Sequence, residues 1–520
     1  MTNEVSKKID KKKQQGRTLW EDKSRVALID VGSNTIRLVV FDLNGRLPQP
    51  VFNERAFCGL GATLGSTGKL SAGSQRLARK TIHRFSSLAK QMKVDHLDIF
   101  ATAAVRDASN GADLIQAVFE ETRREMRVLS GQQEAQHAGL GVLAGIPKAE
   151  GLAGDLGGGS LEFAMISRGR IGQTASLPIG TLRLLDMFGD ELTDAEAYID
   201  KTLKSVPWLT EAIGQDLYAV GGTWRSLAKL HMVRENYPLR ILQQYELPGT
   251  EAEKFARKIY NENDPADAVN AGISSKRARM LPVAALVLHR VMKLIKPSQF
   301  VVSANGLREG ILYDNAQRDL RKKDPLIEFC KDTARRQSRF PEHGSDLRRW
   351  ISPLFENEDE DILRLQYAIC LLSDIGWTGH PEYRAEFTME QIMQRQILGL
   401  SHADRAFIAL ALFVANGGKV GGESAALPVS LLRQDQVKLA KQIGLALRLG
   451  QRISGGTKKL LGRSTLQINE TEVTLSVPDR YEYLVGDSVR SRLKALAVVM
   501  GREGVVDLTP AEATSPAATQ

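Results

Sequence analysis

The chain holds 520 residues, which at about 100–200 residues per domain implies about three domains. Hydrophobic residues make up 42% and charged residues 25%, the balance of a packed globular protein and not of a disordered, collagenous or membrane chain. Lys and Arg outnumber Asp and Glu by 70 to 61, and the net charge of +9 favours polyanionic partners without choosing among them.

The first 24 residues carry Lys7, Lys8, Lys11, Lys12 and Lys13 with no apolar segment behind them, so a solvated basic tail is expected and not a secretory signal. Residues 25–29 and 36–41 are apolar, β-branched runs separated by Asp30-Val31-Gly32-Ser33-Asn34-Thr35, the pattern of a strand, a tight turn and a strand. Helical spacing follows over 74–93, a strand over 98–104 and a helix over 112–124. Residues 151–166 then repeat the opening hairpin: Asp155-Leu156-Gly157-Gly158-Gly159-Ser160 aligns with the first turn, Asp155 on Asp30 and Ser160 on Thr35. The offset of 125 residues is domain-sized, so two similar lobes with a cleft between them are expected. The second lobe continues with a helix over 194–209, a strand over 217–220, a helix after Thr223, an apolar helix over 281–294 and a strand over 300–303.

Beyond residue 318 the character turns helical, with a charged stretch at 356–361, a short hairpin pattern over 465–477 and a frayed end over 508–520. The expected limits are a basic tail (1–24), a first lobe (25–137), a second lobe (138–315), a helical domain (316–507) and a terminal tail (508–520). Cys58, Cys330 and Cys370 are too scattered for a disulfide framework or a cysteine zinc site, which fits the cytoplasm. No apolar run reaches the roughly 20 residues of a membrane span. Aromatic residues are 6% and none interleave with a basic stretch, so no platform for specific nucleic-acid recognition is expected.

Gly32 and the Gly157-Gly158-Gly159 run allow backbone amides to turn inward without Cβ obstruction, and Ser33, Asn34, Thr35 and Ser160 add donors. One such loop is an ordinary turn, whereas two matched loops facing across a cleft point to phosphate. A P-loop or dinucleotide fingerprint needs a helix after its glycines, and here strands follow. Val220-Gly221-Gly222-Thr223 adds a third candidate phosphate contact, with Thr223 as a possible helix cap. Arg106, expected at the end of a strand, either grips phosphate oxygens or pairs with Asp107 or Asp113. Asp155 and Glu162 flank the glycine turn and suit Mg²⁺, with Asp30 assisting through a water; turn stabilisation and an exposed strand position are their plainer roles. Ser130-Gly131-Gln132-Gln133 has the form of a capping box, which puts Glu134 in a first helical turn.

The paired hairpins resemble the phosphate loops of the actin/Hsp70/hexokinase-like superfamily, a duplicated ribonuclease H-like α/β fold. Five blocks narrow the likeness: residues 27–35, 101–108, 129–135, 154–162 and 303–310, the last reading Ser303-Ala304-Asn305-Gly306-Leu307-Arg308-Glu309-Gly310. Together they resemble the exopolyphosphatase and guanosine pentaphosphate phosphohydrolase family. The resemblance implies two actin-like lobes and a mostly helical, HD-like C-terminal domain. It also implies Mg²⁺-dependent removal of terminal phosphate from inorganic polyphosphate, with Glu134 as the base for the attacking water, and a homodimer. Alternatives are hydrolysis of guanosine pentaphosphate (pppGpp), a superfamily kinase, or a sensor that binds polyphosphate or alarmone without hydrolysis. The residue before the base is commonly acidic in that family and is Gln133 here. Where an HD domain needs its histidine beside Asp374, this chain has Ser373, so a non-catalytic helical domain is expected.

Overall fold

The computed structural model describes residues 24–189, 192–261 and 265–510. They form two compact units, one ending at Lys323 and one beginning at Asp324. The first contains both lobes. The basic tail lies outside the described residues apart from Ser24, which opens the first strand opposite Leu43.

In the first lobe β1 (Ser24–Val31) and β2 (Thr35–Asn44) form the expected hairpin, with β3 (Leu47–Phe57), β4 (His96–Ala101) and β5 (Met126–Val128) completing a sheet of order β3-β2-β1-β4-β5. Strand β4 stops at Ala101, not at 104. Ala103–Asp107 is instead a short helix, α2, so Arg106 sits in a helical turn and not at a strand end. The longer helices are α1 (Ala72–Gln91), capped by Ser71 accepting from the Ser74 amide, and α3 (Gly111–Thr122).

In the second lobe β6 (Gly151–Leu156), β7 (Leu161–Ser167), β8 (Arg170–Leu177), β9 (Asp216–Val220) and β11 (Gln299–Val302) repeat that topology as β8-β7-β6-β9-β11, and the short β10 (Glu246–Pro248) adds an edge strand. The helices here include α4 (Gly131–Gly145), which enters from the first lobe, then α5 (Thr181–Phe188), α6 (Leu192–Lys204), α7 (Gly222–Arg234), α8 (Gly249–Asn261), α9 (Leu281–Ile295) and α10 (Leu307–Asn315). Helix α6 ends at Lys204, and Pro207 begins a separate 3₁₀ turn, so the expected helix over 194–209 is divided.

Each sheet is covered on both faces, which explains why its central strands are continuously apolar. Ile29 and Leu38 pack with Ile82, Phe85 and Leu114 on one side of the first sheet. On the other side Leu28, Val39 and Phe100 meet Ile311 and Leu312 of α10. Helix α4 does the reciprocal job, placing Val142 and Leu143 on Ala153, Ala164 and Val301 of the second sheet. The two crossing helices touch through glycines: a Cβ on Gly310 would run into the His137 carbonyl, and one on Gly141 into that of Gly306. The expected limit at 137/138 therefore falls inside a continuous helix, and residues just past 315 still belong to the first unit, with Ala316 in the α10 cluster.

The second unit is mostly helical, with α11 (Glu360–Leu372), α12 (Arg384–Gln394), α13 (His402–Ala415), α14 (Gln434–Ser454) and α15 (Asp487–Met500) among its elements. The late hairpin is present as β12 (Thr465–Ile468) and β13 (Glu472–Pro478), and β14 (Glu503–Thr509) pairs parallel to β13. The frayed end expected from 508 is thus displaced, because Leu508 and Thr509 pair with Val477 and Pro478; residues 511–520 lie outside the described set. No helix among the described residues is long and apolar enough to cross a membrane.

Candidate active site

The two hairpin turns are built alike. The Gly32 amide donates to the Thr35 carbonyl and the Gly157 amide to the Ser160 carbonyl, each at 3.0 Å. They also meet, since a Cβ on Gly159 would lie 2.8 Å from Ser33 Oγ, and one on Gly158 would lie 3.2 Å from Ser33 Cβ. A side chain at either glycine would crowd Ser33. Asn34 reaches the second lobe as well, with its amide 3.8 Å from Met280 Sδ.

The third loop comes to the same place. Gly221 has φ +97°, and a Cβ there would press on the Leu156 carbonyl at 2.5 Å and on Asp155 Oδ1 at 2.9 Å. Gly222 lies beneath the Arg277 guanidinium. Thr223 does not cap α7: the helix already begins at Gly222, the cap position is Gly221, and no side chain bonds there.

The register of the hairpins places the charged groups. Asp155 stands directly opposite Glu162 on β6 and β7, so the two share one face of the sheet. The equivalent pair in the first lobe is Asp30 and Arg37. The repeat thus carries acid against acid in one lobe and acid against base in the other. Glu162 is buried and accepts from Ser176 Oγ at 2.9 Å, so it is not an exposed strand residue. Burial pushes Glu162 up to about 7 and Asp155 up to about 6.

Glu134 lies where the capping box predicts, in the first turn of α4, whose Ser130 and Gln133 side chains satisfy each other's amides. Gly131 lets that turn lie against β8, because a Cβ there would overlap Ser176. Glu134 is 7% exposed, and its carboxylate is held well above the usual range, first by burial and then by Glu162, with Arg106 pulling the other way. Arg106 Nη1 donates both to Glu134 and to the Leu129 carbonyl, the latter at 2.9 Å. A cavity of about 480 Å³ opens beside this turn, lined by Arg106, Ser130, Gln132, Ser160, Thr174 and Ser176.

Sequence reasoning missed four arginines. Arg308, named in the sequence only as part of the fifth block, donates to Asp30 Oδ2 at 3.2 Å. Arg225 is bound to the Gly221 carbonyl at 3.0 Å and the Ala304 carbonyl at 3.2 Å. Burial lowers Arg37 and Arg277 to about 10, and neighbouring guanidiniums contribute: Arg308 and Arg225 for Arg37, Arg55 and Arg225 for Arg277. Cations that are partly desolvated and also repel one another make a site receptive to anions. Two had a local signal: Arg37 is two residues past Thr35 on a strand and Arg225 four past Gly221 on a helix, each spacing returning a side chain to the face of the loop.

Among the described residues no three of histidine, cysteine, aspartate and glutamate gather closely enough to hold a metal by themselves. In the second unit Asp374 is gripped by Arg339, through Nη2 at 2.5 Å and the backbone amide at 2.8 Å, and His343 shares a hydrogen bond with Ser454 Oγ at 3.1 Å.

The sequence pattern of the Ppx/GppA phosphatase family matches residues 39–319, and that of the exopolyphosphatase C-terminal domain matches 326–506. The chain is 29% identical over 301 residues to exopolyphosphatase 1 of Mycobacterium tuberculosis, covering 55% of this chain and 87% of that protein. It is 26% identical over 434 residues to retrograde regulation protein 2 of Saccharomyces cerevisiae, covering 76% and 73%. Among solved structures, an exopolyphosphatase from Cytophaga hutchinsonii superposes with a TM-score of 0.51 at 26% identity, over 56% of this chain and 99% of that one.

Proposed function

The chain belongs to the Ppx/GppA phosphatase family, and from that premise we propose that it hydrolyses the terminal phosphoanhydride bond of inorganic polyphosphate, releasing orthophosphate and a chain one unit shorter. The observation that carries this reading is the meeting of two glycine turns, one from each lobe, beside a group of mutually repelling, half-buried arginines, with Glu134 close by. A polyanion relieves that repulsion. The relatives from Mycobacterium tuberculosis and Cytophaga hutchinsonii, both exopolyphosphatases, support the same substrate class.

In this reading the amides of both turns and the Ser33, Asn34, Thr35 and Ser160 side chains cradle the terminal phosphate. Arg106 turns part of its fork from Glu134 to the phosphoryl oxygens, where charge spreads in the transition state. Glu134, freed of that bond, accepts the proton of a water in line with the bond that breaks, and the shortened chain leaves as the other product. The donor set fits magnesium, which takes one or two carboxylates together with phosphate oxygens and waters: the half-buried Asp155 and the buried Glu162 are acids whose charge a cation would stabilise. These two would hold it, with Asp30 through a water, and when bound it neutralises phosphate charge.

The test is phosphate release from long polyphosphate, guanosine pentaphosphate and ATP, with and without Mg²⁺. Glu134→Gln is expected to lower kcat on polyphosphate by about 10²–10⁴-fold with KM little changed. Release undiminished in that variant would remove Glu134 from the mechanism, and faster release from guanosine pentaphosphate would replace the substrate.

A further inference from the structure

Helix α5 of the second lobe carries two ties to the first lobe on one face. Arg183 Nη2 donates to Asp107 Oδ2 on α2, while its Nε donates to the Gly159 carbonyl of the second phosphate loop at 2.8 Å. Three residues on, and so on the same side of the helix, Asp186 accepts from the Ser66 amide at 2.8 Å and from its hydroxyl at 3.1 Å. Ser66 belongs to a one-turn helix, Leu64–Thr67. The fit is close there: a Cβ on Gly65 would lie 2.9 Å from Asp186 Oδ2 and 3.1 Å from Met187 Cγ.

Asp107 connects the first tie to the chemistry. Its other oxygen accepts from Arg106 Nε at 3.1 Å, and Arg106 Nη1 reaches Glu134. An unbroken line of charge-assisted hydrogen bonds therefore runs from the Gly159 carbonyl through Arg183, Asp107 and Arg106 to Glu134 at the start of α4. The Arg183 side chain is 16% exposed, which sets this bridge apart from freely solvated surface pairs. Every bond in the line needs a fork: Arg183 serves two acceptors in two lobes, and a lysine in its place presents one point charge.

We infer that Arg183 is a positioning residue, holding Asp107 so that Arg106 faces Glu134 and the incoming phosphoryl group only when the two lobes are together. The Ser66–Asp186 tie closes the lobes without touching that line. The inference rests on the reading of Glu134 as the base, and the two are tested separately.

Spin labels on cysteines introduced at exposed Lys90 of α1 and Arg170 of β8 report the distance between lobes, and the native cysteines are buried. Arg183→Gln is expected to lengthen or broaden that distance in the phosphate-free protein. Arg183→Lys is expected to lower kcat on polyphosphate by about tenfold with KM changed less than about threefold and the melting temperature unmoved. Asp186→Ala, which removes the second tie and leaves Arg183 and its partners in place, is expected to lengthen the distance and raise KM while kcat at saturation stays within about threefold, because bound substrate closes the lobes again. An unchanged distance in Arg183→Gln overturns the tie, whatever the substrate. A kcat in Arg183→Lys within twofold of the parent overturns the positioning role. If the parent releases no phosphate from polyphosphate, the functional reading fails, while the distance measurement still decides the tie.

Discussion

Asp155 and Glu162 face each other across two strands, Glu162 buried and Asp155 half-buried, with little solvent to share their charge. Both are easier to protonate in the folded chain than in the unfolded one, where a carboxyl titrates near 4–4.5. The native state then holds an excess proton between about pH 4 and 7, so their contribution to stability is whole below that range and is lost as pH rises through it. Glu162→Gln keeps an acceptor for Ser176 and removes the titration. Scanning calorimetry without phosphate or divalent cation is expected to show this variant melting a few degrees above the parent at pH 8 and close to it at pH 5. A difference independent of pH would mean that Glu162 is not the strained group. These acids were legible in the sequence because each flanks a glycine turn that repeats 125 residues apart. Arg277 and Arg308 were not: they come from helical segments far along the chain and gain their meaning only where the fold brings Arg277 beside Arg225 and Arg308 beside Asp30.

At the level of elements, the crossing of α4 and α10 holds the lobes together while each helix covers the other lobe's sheet. Its closeness depends on glycine. A Cβ on Gly310 meets the backbone of His137, which cannot rotate away as a side chain would, so Gly310→Ala must separate the helices. A loss of about 1–3 kcal/mol is expected on denaturant unfolding, against the gain of up to about 1 kcal/mol that alanine brings to an open helical position such as Gly73, where nothing lies within 4 Å. Equal effects of Gly310→Ala and Gly73→Ala would show that the crossing is loose. Alternating strands, capped helices and the repeated hairpin are local patterns, which is why the two-lobe architecture could be read before the structure. The exchange of helices between sheets could not, since the apolar faces of α4 and α10 look the same whichever sheet they cover. Strand β14 was missed for a related reason: Glu503–Thr509 is short, and its partner β13 lies on the far side of α15 in sequence.

Over the whole molecule, charge decides how a long substrate differs from a short one. The net +9 is a diffuse field, screened within about 8–10 Å at physiological salt, whereas the arginines of the cleft act by contact. A chain of a few phosphates neutralises only the cleft. A chain of hundreds continues beyond it and displaces its own condensed counterions wherever it meets Lys or Arg, so its binding weakens with salt in proportion to the number of contacts, as for other polyanions. Raising monovalent salt from about 50 to 200 mM is therefore expected to raise KM for long polyphosphate about tenfold or more and KM for tripolyphosphate only a few-fold, with kcat on both nearly constant. Initial rates of phosphate release at several salt concentrations give both slopes. Parallel slopes would confine the substrate's electrostatic contacts to the cleft between the lobes. A steeper slope for the long chain counts the basic residues it meets outside that cleft, and Lys or Arg substitutions in either compact unit then locate them one charge at a time.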